Sequence, residues 1–155
     1  MQIVFDVTNL EVDVLLSEWR WLCPYALTLL ARSAFGDLFL RDDAGSVFWL
    51  DVTAGKLTKI SNSESEFRDM ALAIENREEW FAESDVQAAE RRGLKPIGAQ
   101  CIGFKTPIVV AKPGVPNPPY IADLYEYVSL LGDVNRQIAE LPDGSKVRFE
   151  LEPPK

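Results

Sequence analysis

The stretch FGDLFLRDDAGSVFWLDVTAGKLTKI, Phe35 to Ile60, decides the fold. Its short apolar runs are separated by two turn signals, Asp42-Asp43-Ala44-Gly45 and Thr53-Ala54-Gly55-Lys56, and this alternation predicts an antiparallel meander. Leu38 and Leu40 share one parity, with Asp37, Phe39 and Arg41 on the other; in the next run Phe48 and Leu50 oppose Val47, Trp49 and Asp51. Neither face is purely polar. A sheet with apolar groups on both faces is covered on both, by helices or by a partner.

Upstream, Thr8-Asn9-Leu10-Glu11 has capping-box spacing, and Val12, Leu15, Leu16 and Trp19 follow at helical intervals, which predicts an amphipathic helix ending at or before Cys23 ahead of Pro24. Trp19 and Trp21, two apart, cannot point the same way from one helix. The apolar run from Tyr25 to Ala34 is too short and uniform to assign by period. Downstream, Ser63-x-x-Glu66 is a second capping box, with Phe67, Met70, Ala71 and Ile74 on one stripe. Asn76-x-x-Glu79 suggests a further short turn carrying Trp80 and Phe81. Ser84-Asp85 opens a helix running to Arg91-Arg92, with Gly93 as its left-handed exit.

From Ile97 to Ala111 the glycines Gly98 and Gly103 and Pro107 predict one or two short strands with a tight corner. Lys112 to Pro119 reads as a stiff, exposed proline loop. Asp123-x-x-Glu126 starts a long helix carrying Leu124, Tyr127, Val128, Leu131, Val134 and Ile138 on one face through to Glu140. A turn at Pro142-Asp143-Gly144 leads into a terminal strand with Val147, Phe149 and Leu151 on its apolar face. The whole predicts an α+β fold in which a central antiparallel sheet is packed with amphipathic helices, as one domain over residues 1–155.

The balance of 24 acidic against 16 basic residues, a net charge of −8, repels phosphate backbones and suits basic partners, while also favouring solubility. Direct nucleic-acid contact is disfavoured. Arg91, Arg92 and Lys95 form the main basic cluster, a weak footprint that a solvated helix end explains. The chain has no histidine, so the commonest general base and metal ligand are both missing, and Ser-His and Cys-His pairs are excluded. Cys23 and Cys101 stand far apart among apolar residues and read as buried thiols of a reducing compartment. No CxxC, GxGxxG or GxxxxGK[ST] motif occurs. No metal and no cofactor is therefore expected. The start lacks a basic n-region and no apolar run approaches ~18–20 residues, so a cytoplasmic protein is expected.

Several stretches, in order from Trp19 onward, carry a resemblance: Phe35-Gly36-Asp37-Leu38-Phe39, Trp49-Leu50-Asp51, Cys101 to Pro107 (CIGFKTP), and Asp123 to Gly144 (DLYEYVSLLGDVNRQIAELPDG). In these the chain resembles bacterial type VI secretion immunity proteins that protect against a DNase effector, and specifically the C-terminal domain that often follows a GAD-like domain. The resemblance implies a fold of Smi1/Knr4-like character and a binding role without enzymatic activity. The implied partner is the cognate secreted nuclease effector, with no membrane contact and a monomer when free. Two departures stand out: Ile108-Val109-Val110-Ala111-Lys112 replaces a Leu-Gly-Gly loop, and Asn135 stands where a His often precedes Arg-Gln. The residues ahead of Phe35, about 34 in number, are too few to hold the companion domain.

Candidate partner contacts are Asp42, Asp43 and Asp51 around the first hairpins, with Glu126 and Asp133 on the last long helix. Acids at a glycine-ended turn are also ordinary turn formers. Two rival readings are a protein-interaction or regulatory module that shares the fold but has no toxin partner, and an enzyme working through carboxylates or Cys101.

Overall fold

The computed structural model describes residues 2–142 and 144–145. The predicted terminal strand through Val147, Phe149 and Leu151 lies outside the described residues. A five-stranded antiparallel sheet runs in chain order through β1 (Val4–Phe5), β2 (Thr28–Ser33), β3 (Leu38–Arg41), β4 (Val47–Asp51) and β5 (Lys56–Ser61). The meander forms as expected, with Leu38 opposite Leu50 and Phe39 opposite Trp49 across β3 and β4, and Leu50 opposite Leu57 across β4 and β5. The segment before it becomes β2. Its register shifts between Leu29 and Ala31, and Leu29 packs with one core while Leu30 and Ala31 join the other. The bulge breaks the two-residue alternation that would have announced a strand.

Both faces of the sheet are covered. Leu38, Leu40 and Leu50 meet Leu15, Leu16, Trp19, Val128 and Leu131 in the largest core. On the opposite face Phe39 and Val47 meet Phe67, Trp80 and Phe81. Phe39 stacks on Phe67 at 5.4 Å and lies 4.8 Å from Phe81, close enough for aromatic contacts to add to simple burial.

Helix α1 is short, Val12–Leu15. The predicted capping box does not form, because Thr8 Oγ1 donates to Asp6 instead and the Glu11 N–H is met by the Tyr125 hydroxyl at 2.9 Å. Beyond Leu15 the chain changes to tighter turns, with Ser17 N bonded to Val14 O and Trp19 N to Leu16 O. The apolar positions still reach the core; only their helical continuity fails. Because this segment is turned, Trp19 and Trp21 do share a direction, and their rings stack 5.8 Å apart.

Helix α2 (Glu64–Met70) has the predicted cap, Ser63 Oγ accepting from Glu66 N at 3.1 Å. Ile74 does not continue its stripe. It begins α3 (Ile74–Phe81) at 75% exposure, and Asn76, inside α3 rather than capping it, donates to Met70 O at 2.8 Å and so satisfies a terminal carbonyl of α2. Helix α4 (Glu83–Arg91) follows a left-handed joint at Ala82, φ +49°, and Gly93 at φ +80° carries its exit. Ser84 is not its N-cap; its N–H and hydroxyl both donate to the Glu78 carboxylate, at 3.1 and 2.8 Å.

Strand β6 (Gln100–Phe104) pairs antiparallel with β7 (Pro119–Asp123), and Ile102 N donates to Ala34 O at 2.7 Å, which ties this small sheet to the meander. After β6 the chain makes a 3-10 turn at Ile108–Val110 in place of a second strand. The proline loop is exposed from Lys112 to Pro116, is stapled by Asn117 to both backbone groups of Thr106, and ends with Pro119 in β7. Helix α5 (Leu124–Ala139) starts with Asp123 Oδ1 accepting from Glu126 N at 3.0 Å, as the spacing predicts. No helix among the described residues is long and apolar enough to cross a membrane.

Candidate partner-binding cleft

The turn joining β2 to β3 is built by Ser33, whose Oγ accepts from Phe35 N and Asp37 N at 3.3 and 3.1 Å while its own N–H donates to Asp37 O at 2.9 Å. This fixes Asp37 so that Oδ2 accepts from Trp49 Nε1 at 3.0 Å and Oδ1 from Val52 N at 3.1 Å. Burial pushes the Asp37 carboxyl up to about 7, and the nearby Asp51 charge adds to the effect against the pull of the two N–H donors. The β4–β5 turn that supplies Val52 is held in turn by α5: Asn135 Nδ2 donates to Val52 O at 3.0 Å and to Leu131 O at 2.9 Å. On the other side, Tyr127 presents its hydroxyl to Phe104 N at 3.2 Å.

Beside Asp37 opens a cleft of about 490 Å³. One wall is the end of α3, the Ala82 joint and the outer face of α4, contributing Glu79, Trp80, Asp85, Ala88 and Arg92. The other is made by Phe35, Phe104, Ile108 and Pro119, with the Phe35 and Phe104 rings nearly parallel at 6.4 Å. Apolar walls with a few convergent polar groups are the usual make-up of a binding pocket. Three carboxylates, Asp37, Glu79 and Asp85, face it against one guanidinium, Arg92.

The five acids expected to contact a partner fall in separate places. Asp42 and Asp43 sit at the β3–β4 turn and Asp51 at the β4–β5 turn, which an antiparallel meander puts at opposite ends of β4. Asp42 Oδ1 accepts from Ser46 N at 2.9 Å, and Asp51 Oδ1 from Thr53 N and Ala54 N at 3.1 and 3.0 Å, so both shape their turns. Asp133 pairs with Arg136 at 2.6 Å and also accepts from Gln137. Glu126 is exposed in the first turn of α5.

Cys101 and Cys23 are free and fully buried, and burial pushes their thiols up to about 12 and about 11. Neither holds an appreciable thiolate fraction at neutral pH. Among the described residues no three His, Cys, Asp or Glu side chains are grouped to hold a metal ion.

Asp37 and the cleft escaped the reading of the sequence as a site. Asp37 sits inside the FGDLF stretch, where it registers only as a polar residue of one parity. No family model and no curated protein sequence matches the chain.

Proposed function

We propose that this chain is an immunity-type binding protein that neutralises a secreted nuclease toxin of type VI secretion by non-covalent occlusion. One observation carries the reading. The stretches in which the chain resembles such immunity proteins pack on one another in the fold: Asp37 of the first bonds to Trp49 of the second, Tyr127 of the last bonds to Phe104 of the third, and Asn135 of the last closes the turn that follows the second. These contacts join the resembling stretches at one junction of the fold. The net charge of −8 supports a basic partner, since a nuclease must present positive potential to its substrate and an acidic protein is steered to that surface.

Co-expression with the toxin encoded beside its gene tests the proposal. Cells are expected to survive, and the two proteins to co-elute on size exclusion. Continued toxicity with no complex would sink the idea.

A further inference from the structure

The acidic charge is unevenly distributed. Residues 64–91, which contain α2, α3 and α4, hold nine acids and three arginines. Two of the three are engaged within the layer, Arg68 with Glu64 at 2.7 Å and Arg77 with Glu83, and the third, Arg91, stands at the C-terminal end of α4. The cleft opens along the α3–α4 edge of this layer, at the place where the layer meets an apolar wall. Glu79 and Asp85 stand exposed at its margin, and neither carboxylate has a hydrogen-bond or ion-pair partner among the described residues. Asp37 lies deeper and keeps lone pairs beyond the two it gives to Trp49 and Val52. Ile108, 48% exposed, carries the apolar wall out to the surface.

A cleft with aromatic walls and an excess of carboxylates fits one kind of side chain best. A guanidinium is planar, stacks on aromatic faces, pairs with carboxylates through several donors and gives up its hydration more readily than an ammonium. We propose that the cleft is the docking site for an arginine-bearing basic segment of the nuclease, its guanidinium meeting Asp37, Glu79 and Asp85 and its apolar flank resting on Phe104 and Ile108. The proposal rests on the immunity reading and names the surface and the partner chemistry that this reading leaves open. It also separates attraction from docking: the acidic layer steers any basic protein, whereas the cleft selects a shaped segment.

The test titrates the catalytically inactivated toxin encoded beside the gene into wild-type protein and three variants. Glu79→Lys/Asp85→Lys reverses two charges in the cleft. Glu66→Lys/Asp69→Lys makes the same change in charge on exposed positions of α2 that do not line it. Ile108→Gln removes the apolar contact of that wall without adding charge or touching either helix, and so keeps the test valid if the cleft double variant does not fold. The cleft double variant is expected to weaken Kd by about tenfold or more, Ile108→Gln by about fivefold or more, and the α2 pair by less than about threefold. Equal weakening by both double variants would reduce the effect to general charge and overturn the cleft. Wild-type binding retained by the cleft variants would overturn the cleft while leaving the immunity reading standing. Failure of the wild-type protein to bind that toxin at all would remove both.

Discussion

On one face of the meander α5 is held by bonds that each require a particular side chain; on the other, α2 to α4 rest on aromatic packing and carry the charge. The α5 face has the Trp19 indole donating to Val128 O at 2.9 Å, Asn135 closing on Val52 O, and Gly132 pressed against the turn after α1. The α2–α4 face has Phe39, Phe67, Trp80 and Phe81 in mutual contact, with ion pairs outside them and acids that have no partner among the described residues. Side-chain-to-backbone bonds between distant elements constrain residue identity, because a lost partner leaves a buried polar group unsatisfied. Aromatic packing constrains mainly volume and hydrophobicity. The first face is therefore suited to being scaffold, and the second leaves its outer surface free to vary.

A single added methyl group gives the sharpest contrast. A Cβ on Gly132 would lie 2.6 Å from Glu18 O, a contact with backbone that no rotamer change relieves. Gly132→Ala gains about 1 kcal/mol of helix propensity, yet it is expected to lose ~1–3 kcal/mol net because α5 must shift off the α1 turn. Leu72→Ser on the opposite side, at a residue 77% exposed, is expected to change stability by less than about 0.5 kcal/mol. Urea denaturation of both variants checks the pair. An unchanged midpoint for Gly132→Ala would mean that the α5 face is as forgiving as the other.

Asp37 lies where the two faces join, and its titration offers the next largest effect. Its folded value is raised to about 7 from an ordinary carboxylate value of ~4. Between those limits the folded protein holds a proton that the unfolded chain has released, so stability from this group is fully present below pH ~4 and is lost as pH rises to about 7. Asp37→Asn removes that dependence while preserving shape. Thermal melts from pH 4 to pH 8 are expected to show the wild-type Tm falling relative to the variant's up to about pH 7 and running parallel above it. A constant difference across the range would show that the carboxyl titrates normally and that burial has little hold on it.

The same two faces differ in how far they can be read from the chain. The meander was legible because its turns and its alternation are local, and so were the caps at Ser63 and Asp123, each of which needs only a residue three positions on. Strand β2 was not, since its bulge sends Leu29 to one face and both Leu30 and Ala31 to the other. Strand β1 is two residues long, too short for any period to show. Asp37 depends on Trp49 and Val52 arriving from the next turn, and the cleft draws its walls from five separate segments between Ser33 and Pro119. Sites assembled by tertiary packing leave no local spacing to find.

The smallest expected effect concerns the acids that local spacing did single out. Asp43 is exposed and Asp42 accepts one bond from Ser46 N within its own turn. Asp42→Lys/Asp43→Lys therefore costs no core contact, and its loss of stability is expected to stay near that of one turn hydrogen bond, about 0.5–1.5 kcal/mol. Its consequence for binding distinguishes steering from contact. If the β3–β4 turn acts only through the protein's overall field, association with the proposed nuclease partner slows modestly, the slowing grows at low salt and fades once the Debye length shrinks to ~8 Å near physiological salt, and the dissociation rate is unchanged. Stopped-flow association at two salt concentrations reads both rates. A faster dissociation that persists at high salt would place this turn inside the interface, and would extend the proposed footprint from the α2–α4 side to the far end of β4.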